Sequence, residues 1–319
     1  MRIAPKEMGS LPASGVRTSY AYDVAVAYRI CPKVSKPAEG LPFGDDKLRQ
    51  AEVCLRSFRE SLGSLRVKLC AILDGCPAAY GRLFRRYFSP EHLVVHEFDR
   101  IGNRATYEKQ LDFLLSQSDA EFVYFAEDDY FYLAGQFPGM LRFLRAREDV
   151  EFVSPYDHPD CYNLNLHHGR KWVTFFEDHH WRTAASTCLT FLTRQQTLAS
   201  YEDVFRTYVG RNDDCAMWVS LTKTKVFNPL AMLRYLARRE FYRNVLIKAW
   251  LLCWPQILFG KTAKLWVPVP GVATHLNEGL LSPGIDWRKL MCEAGAEENA
   301  EECASVGPPR VLGINQVVG

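Results

Sequence analysis

The stretch EFVYFAEDDYFYL, residues 121–133, joins an apolar run to three consecutive carboxylates. Its first part has the composition of a buried β-strand, and Glu127, Asp128 and Asp129 follow without a break. Adjacent carboxylates repel one another and disfavour strand structure, so a purely structural role is hard to explain. A solvated turn is the alternative, but the apolar and aromatic residues on both sides favour a bound divalent cation. A small number of oxygen ligands suits Mg²⁺ or Mn²⁺.

Upstream of this stretch, strand-like segments alternate with helix-like segments. The predicted order is strand 22–30, helix 45–62, strand 65–75, helix 77–88, strand 92–99 and helix 102–117, which leads into the strand at 121. Such alternation predicts an α/β fold with a doubly wound, mostly parallel central sheet flanked by helices. Ligands bind such sheets beyond the carboxyl ends of the strands, where we expect Asp74, Asp99 and the acids at 127–129.

The composition is that of an ordinary globular protein. The chain has 319 residues, 48% of them hydrophobic, and its net charge of +2 gives no reason to expect a nucleic-acid partner. The ten cysteines form no C-x-x-C pair, which predicts free thiols in a reducing compartment. We find no signal-peptide pattern and no apolar stretch of about 20 residues. The expected location is therefore cytoplasmic.

The order of elements and acids resembles the GT-A fold of nucleotide-sugar-dependent glycosyltransferases. The resemblance is carried by VAVAYRI (24–30), VKLCAILDG (67–75), GNRATYEKQLDFLLSQSDAEFVYFAEDD (102–129) and TAASTCLTFLTRQ (183–195). It implies one GT-A domain with an acceptor-side second half. The implied divisions are a nucleotide-sugar-binding half (21–134) and an acceptor-side half (135–290), while composition predicts a flexible leader (1–20) and a flexible tail (291–319).

The resemblance also implies roles for residues that follow the first strands. Asp74 would contact the nucleobase or ribose, and Arg29 would line the nucleotide pocket. Asn103 and Arg104, which open a helix after a glycine, would lie near the nucleotide or its diphosphate. An arginine beside free helix N–H groups is a good anion site. The alternative is that Asn103 caps the helix and Arg104 is a surface charge.

For the acidic cluster, the resemblance implies that Asp129 binds the metal ion directly. Glu127 would support it or reach the ribose, and Asp128 would contact the sugar or a neighbouring arginine. His275, late in the chain, matches the place where many GT-A enzymes supply a third metal ligand. Imidazole suits Mn²⁺ better than Mg²⁺, so this assignment favours manganese. A purely structural histidine is the alternative.

The stretch VGRNDDCAMWVSL (209–221) places two acids before a predicted helix. Either Asp213 or Asp214 can cap that helix. In inverting members of the family that this chain resembles, a carboxylate at such a position is the general base for the acceptor hydroxyl. Asp214 is our first candidate for that base and Asp213 the second, although a retaining enzyme would need neither.

Two further segments bear on the acceptor. FFEDHHWRTAAST (175–187) combines aromatic and charged residues in a way that suits sugar binding. The segment 232–266 is basic and then apolar, so it is either a packed helix with a basic face or a segment that rests on anionic lipid. In the second case the acceptor would be lipid-linked and the protein peripheral at the inner face of a membrane.

Together these features predict a metal-dependent glycosyltransferase. Its partners would be a UDP- or GDP-linked sugar donor and a saccharide or lipid-linked acceptor. A sugar-phosphate nucleotidyltransferase is disfavoured because YRICPKVSKPAEGLPFG (28–44) has no Gly-rich phosphate loop. A non-catalytic sugar- or lipid-binding protein on the same scaffold is the other alternative.

Overall fold

The computed structural model describes residues 20–33, 43, 46–165, 167–169, 171–237 and 241–295. The first half contains β1 (Tyr22–Ile30), α1 (Lys47–Ser61), β2 (Val67–Asp74), α2 (Ala78–Tyr87), β3 (Leu93–Phe98), α3 (Asn103–Leu115), β4 (Ala120–Glu127), β5 (Tyr130–Tyr132) and α4 (Phe137–Ala146). The second half contains β6 (Phe152–Val153), α5 (Asp160–Asn163), β7 (Val173–Phe176), β8 (His179–Ala184), β9 (Phe191–Arg194), α6 (Gln195–Ser200), α7 (Glu202–Val209), α8 (Asp214–Thr222), α9 (Pro229–Ala237), α10 (Phe241–Phe259), β10 (Leu265–Val269), β11 (Ala273–His275) and α11 (Trp287–Gly295).

The central sheet has nine strands in the order β3-β2-β1-β4-β9-β6-β10-β8-β7. Strands β3, β2, β1 and β4 pair in parallel, whereas β9 joins β4 and β6 as an antiparallel strand. The predicted α/β class is confirmed. The first half forms the parallel part of the sheet, and the second half extends it with mixed pairing.

Helices cover both faces of the parallel strands. On β1, Val24, Val26 and Tyr28 face the core that contains α1, α2 and α4, while Ala25 and Ala27 face the core that contains α3 and α8. Strands buried on both faces require apolar residues at every position, which explains the uninterrupted run in VAVAY. The sheet is therefore doubly wound, as predicted.

A two-stranded sheet brings β11 next to the acidic cluster at residues 127–129. Strand β5 begins directly after Asp129 and pairs antiparallel with β11, so that His275 lies opposite Tyr130. The backbone N–H of Leu276 donates a hydrogen bond of 2.8 Å to the carbonyl oxygen of Asp129. The apolar residues after the acids thus start a new strand in a second sheet.

The ends of several predicted segments can be compared with the structure. Helix α1 begins at Lys47, and Asp46 caps it by accepting a hydrogen bond of 3.0 Å from the N–H of Arg49. The predicted tail begins inside α11, which continues to Gly295. Most of the predicted leader (residues 1–19) and residues 296–319 of the predicted tail lie outside the described residues. Among the helices that the structure describes, none combines the length and apolar character needed to cross a bilayer.

We expect Trp218→Ala to be among the most destabilising single changes. Trp218 is fully buried on α8, and its ring lies 5.3 Å from that of Phe152 and 4.9 Å from that of Phe191. Removing the indole leaves a cavity that costs about 3–5 kcal/mol of unfolding free energy. Urea denaturation measures this loss. Trp172→Ala is the control, because Trp172 is 53% exposed, and a similar loss in both variants would contradict the prediction.

Candidate functional site

A cavity of about 570 Å³ opens at the carboxyl ends of β1, β2 and β4. The beginning of α3, the first residue of α8 and the end of β11 complete its walls. The predicted site residues that line it are Arg29, Asp74, Asn103, Glu127, Asp128, Asp129, Asp214 and His275. Arg104 and Asp213 are the two predicted residues that do not line it.

Arg29 and Glu127 form the buried wall between β1 and β4. Arg29 donates from Nη2 to Glu127 Oε1 at 2.5 Å and from Nη1 to the backbone oxygen of Asn103 at 3.0 Å. The other oxygen of Glu127 accepts a hydrogen bond of 3.0 Å from the hydroxyl of Thr190. Both carboxylate oxygens are thus engaged by the protein, so Glu127 orients Arg29 and Thr190 while keeping lone pairs for a ligand.

Asp128 lies on the opposite side of the strand end and is paired with a lysine. Its Oδ2 is 3.0 Å from Lys47 Nζ and accepts a longer hydrogen bond of 3.4 Å from the N–H of Cys31. The predicted basic neighbour of Asp128 is therefore Lys47 rather than an arginine. Burial raises the pKa of Asp128 to about 6, with a further contribution from Asp129 that Lys47 opposes.

Asp129 and His275 line the cavity and contact each other. Asp129 Oδ2 lies 3.2 Å from His275 Nε2. Burial alone would raise the pKa of Asp129, but His275, together with the charges of Lys47 and Arg29, outweighs it and lowers that pKa to about 2. Asp129 Oδ1 is buried and has no hydrogen-bond partner among the described residues. An orphaned, ionised carboxylate oxygen beside an imidazole fits a divalent cation, and this donor set suits Mn²⁺.

Few of the described side chains could bind a metal ion beside Asp129 and His275. Within the residues that the structure describes, no group of three or more His, Cys, Asp or Glu side chains is arranged to hold a metal ion. Mg²⁺ and similar ions commonly keep several positions for water and substrate phosphates. A cation at Asp129 would therefore depend on a bound anionic ligand for much of its coordination.

Asp74 organises the loop that leads into α3. Its two carboxylate oxygens accept hydrogen bonds of 2.7 Å from the N–H of Ile101 and 2.9 Å from that of Gly102. Gly75 precedes this loop at φ +67°, and a Cβ there would lie 2.5 Å from Cγ of Arg100. These contacts place Arg100 in the cavity wall, a position that sequence reasoning did not predict.

The two polar residues that open α3 point in different directions. Asn103 lines the cavity, donates a hydrogen bond of 3.0 Å to the hydroxyl of Tyr208 and accepts one from Arg29 through its side-chain oxygen. It does not cap α3, because Gly102 occupies the N-cap position. Arg104 instead donates to the backbone oxygens of Tyr208 and Asn212, so its guanidinium ties α3 to the segment before α8.

The adjacent acids at the start of α8 have separate environments. Asp213 caps the helix by accepting a hydrogen bond of 2.8 Å from the N–H of Ala216, and its other oxygen is 3.0 Å from Lys248 Nζ. Asp214 lines the cavity and accepts a hydrogen bond of 2.7 Å from the N–H of Cys215. Burial raises the pKa of Asp214 to about 6, and the negative charges of Asp213 and Glu127 add to the shift.

Several residues of the site carry little signal in the sequence: Tyr208 lines the cavity, whereas Lys47 and Thr190 contact its acids. Lys47 is an ordinary lysine in the first turn of α1, and nothing local links it to Asp128. Tyr208 precedes the acidic stretch at 209–221 by one residue, and its aromatic ring is the only local hint. Thr190 lies in a small-residue segment. All three reach the site through long-range packing, which local patterns do not encode.

The segment 175–187, predicted to contact sugar, lies outside this cavity. Most of its residues form the β7–β8 hairpin at the far edge of the sheet, and none of them lines the cavity of 570 Å³. Glu177 pairs with Arg142 at 2.7 Å, and Asp178 lies 2.6 Å from His179 Nδ1. A hairpin added at the edge of a nine-stranded sheet does not reach this cavity, so the sugar contact stays a prediction.

Comparison with known proteins gives only distant likenesses. No protein-family model matches the chain, and no curated protein sequence matches it. The galactosyltransferase LgtC, solved with donor and acceptor sugar analogues, is 9% identical over 86% of this chain and 95% of its own, with a TM-score of 0.41. The mannosyltransferase PcManGT from Pyrobaculum calidifontis, solved with GDP-Man and Mn²⁺, is 14% identical over 65% and 53%, with a TM-score of 0.38. Residues 1–349 of TarS from S. aureus are 14% identical over 57% and 48%, with a TM-score of 0.33.

Proposed function

We propose that this protein is a glycosyltransferase that moves a sugar from a nucleotide-diphosphate sugar to an acceptor hydroxyl. One observation carries the proposal: a single cavity at the carboxyl ends of three parallel strands contains the Asp129–His275 pair and the separate carboxylate of Asp214. Such crevices are where open α/β sheets bind ligands. The two kinds of group, a cation-binding pair and a carboxylate of raised pKa, are the two that this reaction needs.

The nucleotide diphosphate is expected along β1, β2 and the start of α3. The cavity volume of about 570 Å³ lies within the range of small-molecule sites. Arg29, Arg100 and Lys33 supply positive charge to its lining. Helix α3 has no side-chain N-cap, so the free N–H groups of its first turn are available to an anion.

Asp129 and His275 are the residues that would hold a divalent cation, Mn²⁺ or Mg²⁺. Such an ion, when bound, supplies positive charge next to the diphosphate leaving group. The protein itself keeps Asp129 ionised, through His275. It also places Arg29 beside the diphosphate. Asp128 remains with Lys47, which helps to hold the strand end in position.

Asp214 is the residue that we assign as general base. The acceptor hydroxyl oxygen attacks the anomeric carbon, its proton passes to the carboxylate of Asp214, and the bond from the anomeric carbon to the diphosphate oxygen breaks. The nucleoside diphosphate leaves with the bonding electron pair, and the configuration is inverted. A pKa of about 6 leaves Asp214 ionised at neutral pH and makes it a stronger base than an ordinary aspartate.

The donor is proposed to carry uridine or guanosine, and the acceptor to be a saccharide or a lipid-linked sugar. The reaction fits the cytoplasm, where nucleotide sugars and reduced cysteines coexist. The nine free cysteines of the described residues agree with such a compartment.

Calorimetry with UDP and GDP tests the donor site. We expect one of the two to bind in Mn²⁺, and its affinity to fall by about tenfold or more when EDTA replaces the metal ion, since charge neutralisation at the diphosphate is lost. AMP serves as the control ligand, because it lacks the diphosphate. Release of free sugar from the matching donor would then establish the reaction class.

Two results would contradict the proposal. If neither nucleotide binds in any metal condition, a non-catalytic binding protein becomes the better assignment. If a nucleoside triphosphate and a sugar phosphate together yield pyrophosphate, the protein is a nucleotidyltransferase.

A further inference from the structure

Helix α10 leaves an apolar surface uncovered. Its inner side packs against α8 through Val245, Ala249 and Ile257. Its outer side carries Ile247, Leu251, Trp254 and Leu258, which recur at helical spacing and are between 39% and 70% exposed. A helix that is apolar on all sides is normally buried on all sides. Its outer side is therefore a candidate docking surface.

The exposed apolar residues are concentrated in this region. Of the fifteen large apolar side chains that are exposed among the described residues, nine lie between residues 227 and 259. They include Leu230 and Leu233 on α9, which are 78% and 65% exposed, and Phe259 at the end of α10, which is 80% exposed. We call this surface of α9 and α10 the apolar face. Scattered apolar residues need no explanation, but a cluster of this size marks an interaction site.

The sequence segment that contains the apolar face is predominantly basic. The segment 215–277 contains nine Lys and Arg residues and one acidic residue. A second cavity, of about 740 Å³, borders the face at Phe227 and Pro229, and its lining includes Lys171, Lys223 and Lys225. None of the described residues that line this basic cavity is an acid. A positive surface of this kind attracts an anionic partner and repels a second copy of itself.

We propose that the apolar face docks on an anionic lipid bilayer, lying in the interfacial layer while the lysines of the basic cavity contact lipid phosphates. Exposed Leu, Phe and Trp beside Lys and Arg are the composition of interfacial segments. Helix α10 bends at Cys253, two residues before Pro255, so it lies along the membrane surface as two short pieces. The basic cavity borders the carboxyl end of α8, the end opposite Asp214, whereas Lys248 on α10 pairs with Asp213 at its amino end.

Vesicle flotation tests this inference independently of the proposed function, because it needs neither a sugar donor nor a metal ion. The full chain is mixed with vesicles of phosphatidylcholine alone or of equal parts phosphatidylcholine and phosphatidylglycerol. We expect binding to the anionic vesicles, weakened by about tenfold or more in high salt and absent with the neutral vesicles.

Two double variants separate the apolar and the charged contributions. Leu251→Glu with Phe259→Glu should weaken binding by about tenfold or more, since it places charge where apolar groups insert. Lys171→Gln with Lys225→Gln should weaken it by a similar factor through lost attraction to phosphate. Val94→Glu is the control, because Val94 is exposed on β3 at the other edge of the sheet, and it should bind like the unaltered chain. Thermal denaturation checks that each variant is folded.

The inference is overturned if the unaltered chain fails to float with anionic vesicles, or if both double variants float as it does. An equal loss in Val94→Glu would also overturn it, because binding would then be nonspecific. Sedimentation without lipid measures whether the chain forms a dimer. A dimer that the Leu251→Glu and Phe259→Glu changes dissociate would assign the apolar face to self-association.

Discussion

Asp214→Asn is expected to lower kcat for sugar transfer by about 10²–10⁴-fold while donor affinity changes by less than about threefold. The amide is close to the carboxylate in size but cannot accept the proton of the acceptor hydroxyl. Steady-state kinetics with donor and acceptor varied separately measure kcat, and calorimetry with the nucleotide measures donor binding. Undiminished kcat in this variant would exclude Asp214 as the base and favour a retaining reaction.

The pH profile provides a second readout for the same residue. Burial and the charges of Asp213 and Glu127 raise the pKa of Asp214 to about 6. Because the ionised form is the active base, kcat should fall about tenfold per pH unit below that value and level off above it. The variant should lose this acid limb. A profile of the same shape in both proteins would show that another group controls it.

Asp213→Asn is the matched control, since it makes the same chemical change one residue earlier. Asparagine caps helices as well as aspartate does, and the ion pair of Asp213 with half-exposed Lys248 contributes at most about 1 kcal/mol. We therefore expect a small loss of stability and a kcat within a few-fold of the unaltered protein. A larger loss in Asp213→Asn than in Asp214→Asn would reverse the assignment of the two acids.

The parallel half of the fold was predictable because its signals are local. The run VAVAY is apolar at every position, as a strand covered on both faces must be, and acids that follow such runs fall at the carboxyl edge of the sheet. That rule named Asp74, Asp99 and Asp129, and of these Asp74 and Asp129 line the cavity whereas Asp99 does not. The choice between Asp213 and Asp214 needed the structure, since both suit the start of a helix.

Contacts between distant segments were not predictable in the same way. Arg29 and Glu127 are 98 residues apart in sequence, and their pairing follows from the register of β1 with β4. Arg104 at the start of a helix is typical of an anion site. Its guanidinium instead donates to backbone oxygens of α7 and of the loop before α8. The β7–β8 hairpin has the composition of a sugar site but lies at the sheet edge. The type of a side chain limits which ligands it can bind, whereas the fold determines which groups lie next to it.

The second large effect is expected for Asp129→Asn, which should abolish the dependence of nucleotide binding on a metal ion. The variant removes the one buried carboxylate oxygen of the cluster that has no partner among the described residues. We expect UDP or GDP affinity in Mn²⁺ to fall by about 100-fold, since metal sites that lose a ligand or its orienting partner lose affinity by about 10–100-fold or more. In EDTA the two proteins should bind the nucleotide equally.

Asp128→Asn distinguishes a lost metal ligand from a lost charge. Asp128 belongs to the same cluster, is also buried, and pairs with Lys47 at 3.0 Å. Its neutralisation leaves that buried lysine unpaired, so unfolding free energy should fall by about 3–5 kcal/mol. The folded variant should nevertheless retain metal-dependent binding. If instead Asp128→Asn and Asp129→Asn reduce metal dependence equally, the cluster acts through its total charge rather than through Asp129.

His275→Asn separates the two cations that the site suits. Imidazole is a better ligand for Mn²⁺ than for Mg²⁺, so loss of His275 should weaken nucleotide binding in Mn²⁺ more than in Mg²⁺. If His275 serves only to hold Asp129 ionised, both metals should lose affinity by the same factor, because the carboxylate that binds them is the same. The ratio of the two losses therefore decides whether the contact of 3.2 Å between Asp129 and His275 is a pair of metal ligands or one ligand with its support.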